Sequence, residues 1–199
     1  MPDESHAQEE QGRDEATERR LAHERERIRR TALARIRQYP DVALRMRARE
    51  VTAFDSFLVQ LVERMLHLMD DAQGVGLAAT QVGVLQRVFV FRPAEDAPAV
   101  AVVNPRLTEL AAETATEEEG CLSLGEVRVP VERPVRVTLD GRDPNGDGVH
   151  LELEGLAARV VQHEHDHLDG ILIIDRTDPE SRRRALGALR PRPALAAVP

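Results

Sequence analysis

The feature that most constrains the fold is a series of short β-branched runs between two segments with helical periodicity. The runs cover residues 88–91, 100–103, 127–131, 135–139 and 150–153. Turn signals separate them, including Asn104-Pro105 and the Asp/Pro/Asn/Gly cluster at 143–148. This spacing favours antiparallel meanders over βαβ units, which need a crossover helix. The sequence therefore predicts an α+β fold built on antiparallel β-sheets.

A stripe of apolar residues predicts an amphipathic helix over about residues 53–70. Its members recur at spacings of three and four residues, which is the period of one helix face: Phe54, Phe57, Leu58, Leu61, Val62, Met65, Leu68 and Met69. Thr52 or Asp55 can cap its start. We interpret the stripe as part of the core, and a glycine-bearing loop at 74–83 follows it.

A second helix is predicted over about residues 156–168. Gly170 is placed to end it, because glycine tolerates the left-handed conformation found after a helix end. Residues 171–174 are then interpreted as a strand. The apolar face of the second helix predicts that it is buried, with the sheets packed around it. That face consists of Leu156, Val160, Val161 and Leu168.

Length and charge suggest one compact domain with two tails. Residues 1–30 carry nine acids and seven arginines, so residues 1–35 are interpreted as a charged extension, disordered or partly helical. The domain is expected at 36–178, followed by a C-terminal tail at 179–199. A net charge of −8 argues against binding to nucleic acid. The acidic N-terminus and the lack of an apolar run of ~20 residues predict a cytoplasmic protein with no membrane segment.

The second helix carries His163, Glu164 and His167, a spacing that suits a metal site. Residues four apart lie about 40° apart around a helix axis, so both imidazoles can reach one ion. Glu164 points near that ion and can serve as general base for a water molecule. His165 is interpreted as solvent-facing or structural. Asp166 is interpreted as a support that hydrogen-bonds a ligand imidazole or nearby backbone.

Two imidazoles leave a tetrahedral site short of a protein ligand. Zincin-type metalloproteases take the third ligand from downstream, but no histidine follows Gly170. Cys121, the only cysteine, is the one soft candidate upstream, and a metal would stabilise its thiolate. A lone cysteine is most often a small buried hydrophobe, so this assignment needs its partners.

Three segments in this order resemble the motifs of the peptide deformylase family. They are residues 74–81 (GVGLAATQ), 119–123 (EGCLS) and 162–167 (QHEHDH). The resemblance covers about residues 36–176. It implies a metal-dependent hydrolase that removes the formyl group from the N-terminal formylmethionine of nascent polypeptides and releases formate.

The resemblance also implies the roles of individual residues. Cys121, His163 and His167 would hold one divalent metal, with Fe(II) as the family's usual ion and Zn(II), Ni(II) or Co(II) as possible occupants. Glu164 would carry the proton. The Gln81 side-chain amide and the Leu122 backbone N–H would donate to the developing oxyanion.

Substrate contacts are assigned by the same resemblance. Residues expected around the peptide and its methionine side chain are Val75, Gly76, Gly120, Arg128, Leu156 and Val160. The implied partners are formylated nascent peptides, with the ribosome as a further candidate, and the protein is expected to be a monomer. Two departures stand out, since Gly125 replaces a common proline and Gln73 a common glutamate.

Alternative functions stay open at this stage. A zincin-like endopeptidase would cut internal peptide bonds, but it would not explain Gln81 or Cys121. A catalytically inactive module with a structural metal would need neither Glu164 nor Gln81. A cysteine nucleophile is a weaker option, because no supported histidine is visible near Cys121.

Overall fold

The structure, a computed structural model, describes residues 4–190, with side chains described from residue 17 onward. Residues 1–3 of the expected extension and 191–199 of the expected C-terminal tail lie outside the described residues. The described chain combines α-helices with two antiparallel sheets. The predicted α+β class is therefore confirmed.

Seven strands form these sheets within residues 4–190. Their bounds are Gly76–Ala78 (β1), Val88–Phe91 (β2), Val100–Thr108 (β3), Thr114–Gly120 (β4), Arg128–Pro134 (β5), Arg136–Arg142 (β6) and Gly148–Glu154 (β7). The larger sheet has the order β1-β2-β3-β6-β7, and the smaller sheet joins β4 to β5. Every neighbouring pair is antiparallel, as the short connections predicted.

Two strands and one bulge were not predicted. The glycine-bearing loop contributes β1, and a run of three glutamates at 117–119 lies in β4, which pairs with β5 along its whole length. Asn104-Pro105 is not a turn but an irregularity inside β3, where the register to β6 shifts between Val103 and Arg106. Asn104 has a φ of 51°, which asparagine tolerates better than most residues. Its side chain bonds both the N–H and the carbonyl of Val51, at 2.8 and 2.9 Å.

Five α-helices occur in the described part of the chain. Their bounds are Glu4–Leu33 (α1), Ser56–Asp71 (α2), Gly155–Leu168 (α3), Ile173–Arg176 (α4) and Pro179–Ala188 (α5). None of them is both long and apolar enough to cross a membrane. Asp55 caps α2, as expected, by accepting from the N–H groups of Phe57 and Leu58.

The predicted central position of α3 is confirmed, because the helix contacts strands of both sheets. Its buried residues include Val160, Val161 and Leu168, which pack with Phe89 and Phe91 of β2. Gly170 follows with a φ of 74°, the left-handed conformation expected at a helix end. The helix that carries the candidate metal ligands is thus fixed in the core.

Two predicted details, the strand at 171–174 and the start of the apolar stripe of α2, are wrong. Residues 171–174 do not form a strand, since Leu172 instead caps the short helix α4 and its N–H donates to Asp175. A short buried apolar run fits either structure, so periodicity could not decide. Phe54 precedes α2 and Phe57 is 56% exposed, so the core stripe begins at Leu58.

The expected charged extension is helical over most of its length. Helix α1 packs against α2, and Ala32 and Ile36 are buried in the same cluster as Met65 of α2. The expected C-terminal tail begins with helix α5, which Asp178 caps. Ala185 of that helix is buried against Leu172 and neighbouring residues.

Candidate metal centre and catalytic cleft

Three candidate ligands meet where β4 ends against α3. Cys121 directly follows β4, while His163 and His167 lie one turn apart on α3. The cysteine sulfur and the ring nitrogens of the two histidines all lie within 4.8 Å of one another. Cys121 Sγ and His167 Nε2 are 3.3 Å apart.

This donor set fits a divalent transition metal. Ligand bonds of 2.0–2.3 Å place two ligands of a tetrahedral site roughly 3.5 Å apart, which matches the Cys121–His167 distance. Burial lowers the pKa of His167 well below its usual value, which favours the neutral imidazole that binds metals. The structure thus brings together the three ligands predicted from sequence.

Glu119 is a functional residue that sequence reasoning missed. The sequence analysis gave it no role of its own within the segment 119–123, yet it is 5% exposed and its Oε2 lies 3.0 Å from His163 Nδ1. Arg133 and Arg159 each donate to its other oxygen, at 2.6 and 2.8 Å. Burial would raise the pKa of Glu119, but the bonds to His163 and Arg133 outweigh it and lower the pKa to about 2. Alternation along β4 does not single it out, because Glu117 shares its face and has a side chain that is 60% exposed.

Asp166 has a different role from the one expected. It accepts from Arg133 at 2.9 Å and from Arg176 rather than from a ligand imidazole. Arg133 therefore bridges Asp166 and Glu119, and the bridge joins α3 to the smaller sheet. His165 lies away from the metal ligands, half-buried, with its ring nitrogen 3.0 Å from Arg87.

Glu164 is a buried carboxyl beside the candidate ligands. It is 4% exposed, and burial raises its pKa to about 7. Within the described chain its Oε2 has no hydrogen-bond partner. A Cβ on Gly76 would lie 2.3 Å from Glu164 Oε1, so only glycine fits at that position of β1. A free, buried carboxyl oxygen with a pKa near neutrality suits proton transfer.

Gln81 lies on the other side of Cys121. Its Oε1 accepts from the Ala78 N–H at 2.8 Å, which fixes the orientation of the amide. Its Nε2 donates to Ser123 Oγ at 3.1 Å and lies 3.7 Å from Cys121 Sγ. Ser123, fully buried, is a second residue that sequence reasoning did not single out.

A cleft of about 360 Å³ opens over these groups. It is lined by Gln81, Leu122 and Glu164 and by all six residues predicted to bind substrate: Val75, Gly76, Gly120, Arg128, Leu156 and Val160. Val160 is buried, whereas Val75 and Leu156 are 49% and 64% exposed. The expected methionine pocket is therefore open on one side rather than closed around its apolar residues.

Both departures from the family pattern border this cleft. Gly125 has a φ of 58° and Gln73 a φ of 56°. Proline fixes φ near −65°, so the backbone at Gly125 cannot be that of a proline-bearing loop. A Cβ at Gly125 would meet nothing within 4 Å, so the constraint there is conformational rather than steric.

A Cys/His/His donor set, a buried carboxyl and an open cleft on an α+β scaffold define a metal-dependent hydrolase. Residues 33–183 match the family model described as polypeptide deformylase. The chain therefore belongs to the polypeptide deformylase family. Its activity is the removal of the formyl group from formylmethionine at the N-terminus of nascent polypeptides.

Individual relatives agree with this membership. The chain is 50% identical to peptide deformylase of Thermotoga maritima over 148 residues, which is 74% of this chain and 89% of the relative. It is 44% identical to peptide deformylase 1 of Corynebacterium glutamicum over 161 residues, or 80% and 95% of the two chains. The crystal structure of the Thermotoga maritima enzyme matches with a TM-score of 0.70 and covers 73% of this chain and 97% of its own. These comparisons favour deformylation over the metallopeptidase and inactive-module alternatives.

Proposed function

We propose that Cys121, His163 and His167 hold the one divalent metal ion that this deformylase uses. The observation that carries the proposal is the approach of their three donor atoms to within 4.8 Å, next to the unpartnered Oε2 of Glu164. When bound, the metal acts as a Lewis acid that polarises the formyl carbonyl and activates water. Fe(II) is the proposed physiological ion, with Zn(II), Ni(II) and Co(II) as substitutes that the same ligands accept.

Glu164 is the proposed proton carrier. Its free oxygen takes a proton from the attacking water and later delivers it to the departing amine nitrogen, so that formate and a free amino terminus result. Burial and the contact with Gly76 hold the carboxyl in place. General acid–base catalysis of this kind contributes typically 10²–10⁴-fold to a rate.

Gln81 and Leu122 are the proposed oxyanion donors. The Gln81 amide is oriented by the Ala78 N–H, so its Nε2 is presented beside Cys121. Gln38 Nε2 donates to the Leu122 carbonyl at 2.9 Å, which steadies the backbone that carries the second donor. One donor of this kind is worth roughly 2.7–4 kcal/mol of the barrier.

Substrate binding is proposed for the six cleft residues Val75, Gly76, Gly120, Arg128, Leu156 and Val160. The substrates are formylated nascent peptides, and a transient contact with the ribosome would bring them to the cleft. The cytoplasm is the proposed location, because nascent peptides are made there. We further propose that the enzyme acts as a monomer and makes no direct contact with nucleic acid, consistent with its net charge of −8.

The test is formate release from a formyl-Met dipeptide by protein loaded anaerobically with Fe(II) or Ni(II). Glu164→Ala should bind the metal but lose at least ~100-fold in kcat, because the proton carrier is gone. Glu63→Ala, an exposed glutamate on α2, is the control and should match the wild type. Absence of formate from metal-loaded wild type, or cleavage of internal peptide bonds instead, would overturn the proposal.

A further inference from the structure

The last turns of α1 border the same cleft as the candidate metal site. Arg29 and Leu33 line it together with residues of the catalytic domain. They lie four residues apart, so they share one face of the helix. The family model begins at residue 33, so Arg29 lies on a segment outside the matched domain.

The position of this helix end relative to the cleft is fixed. Ala32 and Ile36 are 3% exposed and anchor the segment in the core cluster of α2. Directly after it, the Arg37 N–H donates to the Gln81 carbonyl at 2.7 Å and the Tyr39 N–H to the Ser123 carbonyl at 2.9 Å. The chain leaving α1 is therefore bonded to both loops that carry the proposed oxyanion donors.

The cleft has a buried end and an exposed end. Glu164, at the buried end, is 4% exposed, whereas the Glu126 side chain is 94% exposed. A formyl group must reach the buried end, so the peptide that follows the methionine extends toward the exposed end. Arg29 stands at that exposed end, with its Nη2 3.9 Å from Glu126 Oε1 and its side chain 30% exposed.

We propose that α1 forms the outer wall of the substrate cleft and that Arg29 recognises acidic side chains two residues after the formylmethionine. The proposal rests on the deformylation function described above. Glu126 and Glu26 are exposed partners of Arg29, at 3.9 and 3.8 Å, and a carboxylate on the peptide can replace Glu126 as an acceptor. Leu33, half-buried beside the same cluster as Leu122, supplies the apolar part of the wall.

The experiment compares kcat/KM for the C-terminally amidated peptides formyl-Met-Ala-Glu, formyl-Met-Ala-Lys and formyl-Met-Ala with the full-length, metal-loaded enzyme. Wild type should prefer the Glu peptide over the Lys peptide by about twofold to fivefold, the size expected of one exposed charge pair. Arg29→Glu should reverse that preference through KM and leave the dipeptide unchanged. Arg30→Glu is the matched control, since Arg30 is the adjacent arginine and its side chain is 81% exposed.

The outcomes are distinguishable from one another. An unchanged preference in Arg29→Glu, or an equal loss on all three substrates, would overturn the proposal and leave deformylation intact. A reversal of the preference by Arg30→Glu as well would also overturn it, because the effect would then be one of net charge alone. Failure of the wild type to release formate from any peptide would instead count against the deformylation function.

Discussion

At the residue scale, the site depends on which carboxylates of one acidic run are buried. Glu117 and Glu119 lie on the same face of β4, but the Glu117 side chain is 60% exposed and that of Glu119 is 4% exposed. Of these two, only Glu119 contacts His163, through its ring nitrogen Nδ1. A carboxylate in this position fixes the tautomer and orientation of a ligating imidazole.

Glu119→Gln should therefore weaken metal binding by about 10–100-fold, and it should also lower stability because the buried Arg133 and Arg159 lose a charged partner. The measurement is the metal retained per protein during titration with a competing chelator. Glu117→Gln is the matched control, because it removes an ion pair to Arg159 but does not touch His163. Equal metal loss in both variants would show that the Arg159 network, rather than the His163 contact, sets the affinity.

Residue-level prediction from sequence succeeded where a motif spacing dictates geometry. His163 and His167 could be paired because four residues make about one helical turn, and Cys121 followed as the remaining soft donor. Glu119 and Ser123 could not be assigned in that way. Their roles depend on which strand faces α3, and that is set by pairing between β4 and β5 rather than by local sequence.

At the element scale, the short helix α4 is held by polar contacts at its start. Asp175 accepts from the Leu172 N–H at 2.9 Å and from Arg182 at 2.8 Å, and it pairs with Arg45. These groups outweigh partial burial and lower the pKa of Asp175 below its usual value. The apolar residues 172–174 fit a strand or a helix equally well. The contact between Asp175 and the Leu172 N–H decides for the helix, and the sequence pattern did not reveal that contact.

Asp175→Asn should lower the free energy of unfolding by about 1 kcal/mol near neutral pH. A lowered folded-state pKa gives stability that is present above the unfolded value of ~3.9 and is lost as pH falls through the folded value. The difference between variant and wild type should therefore shrink below about pH 4. Urea unfolding from pH 7 to pH 3 measures it, with Asp71→Asn on exposed α2 surface as the control. A difference that stays constant across this range would contradict the assignment.

At the scale of the whole molecule, the candidate metal site lies where three core clusters meet. Leu77 belongs to the cluster under α2, Val161 to the cluster between α3 and the larger sheet, and Cys121 to the cluster that includes α4 and α5. An ion held by Cys121 and the α3 histidines ties two of these clusters together. Metal binding is therefore expected to contribute to global stability and not only to catalysis.

Ni(II) added to chelator-treated wild type at about a hundredfold its Kd should stabilise the fold by ~2.7 kcal/mol. This corresponds to a rise in Tm of roughly 5–10 °C for a chain of this size. Cys121→Ala should lose most of that rise, whatever its own starting Tm, because a ligand is missing. The readout is thermal unfolding with and without the ion. A similar rise in the variant would indicate that the ion binds elsewhere.

Much of the overall architecture could be predicted, since β-branched runs mark most of the strands, the three-and-four spacing marks α2 and an apolar face marks α3. The packing of α1 against α2 could not be predicted. Its charged residues resemble a solvated extension, and between residues 17 and 36 the buried residues are Ala32, in its last turn, and Ile36, just beyond its end. Two small contacts of this kind carry too little signal in sequence to separate a docked helix from a free one.

The place of Arg29 on the cleft wall has a consequence for inhibitor design. Compounds that bind only the metal and the methionine pocket address groups within the family-matched region, residues 33–183. A compound extended outward to Arg29 would use a contact from a segment beyond that region. Selectivity among deformylases would then come from contacts at the mouth of the cleft, and the metal-binding group of the compound would stay the same.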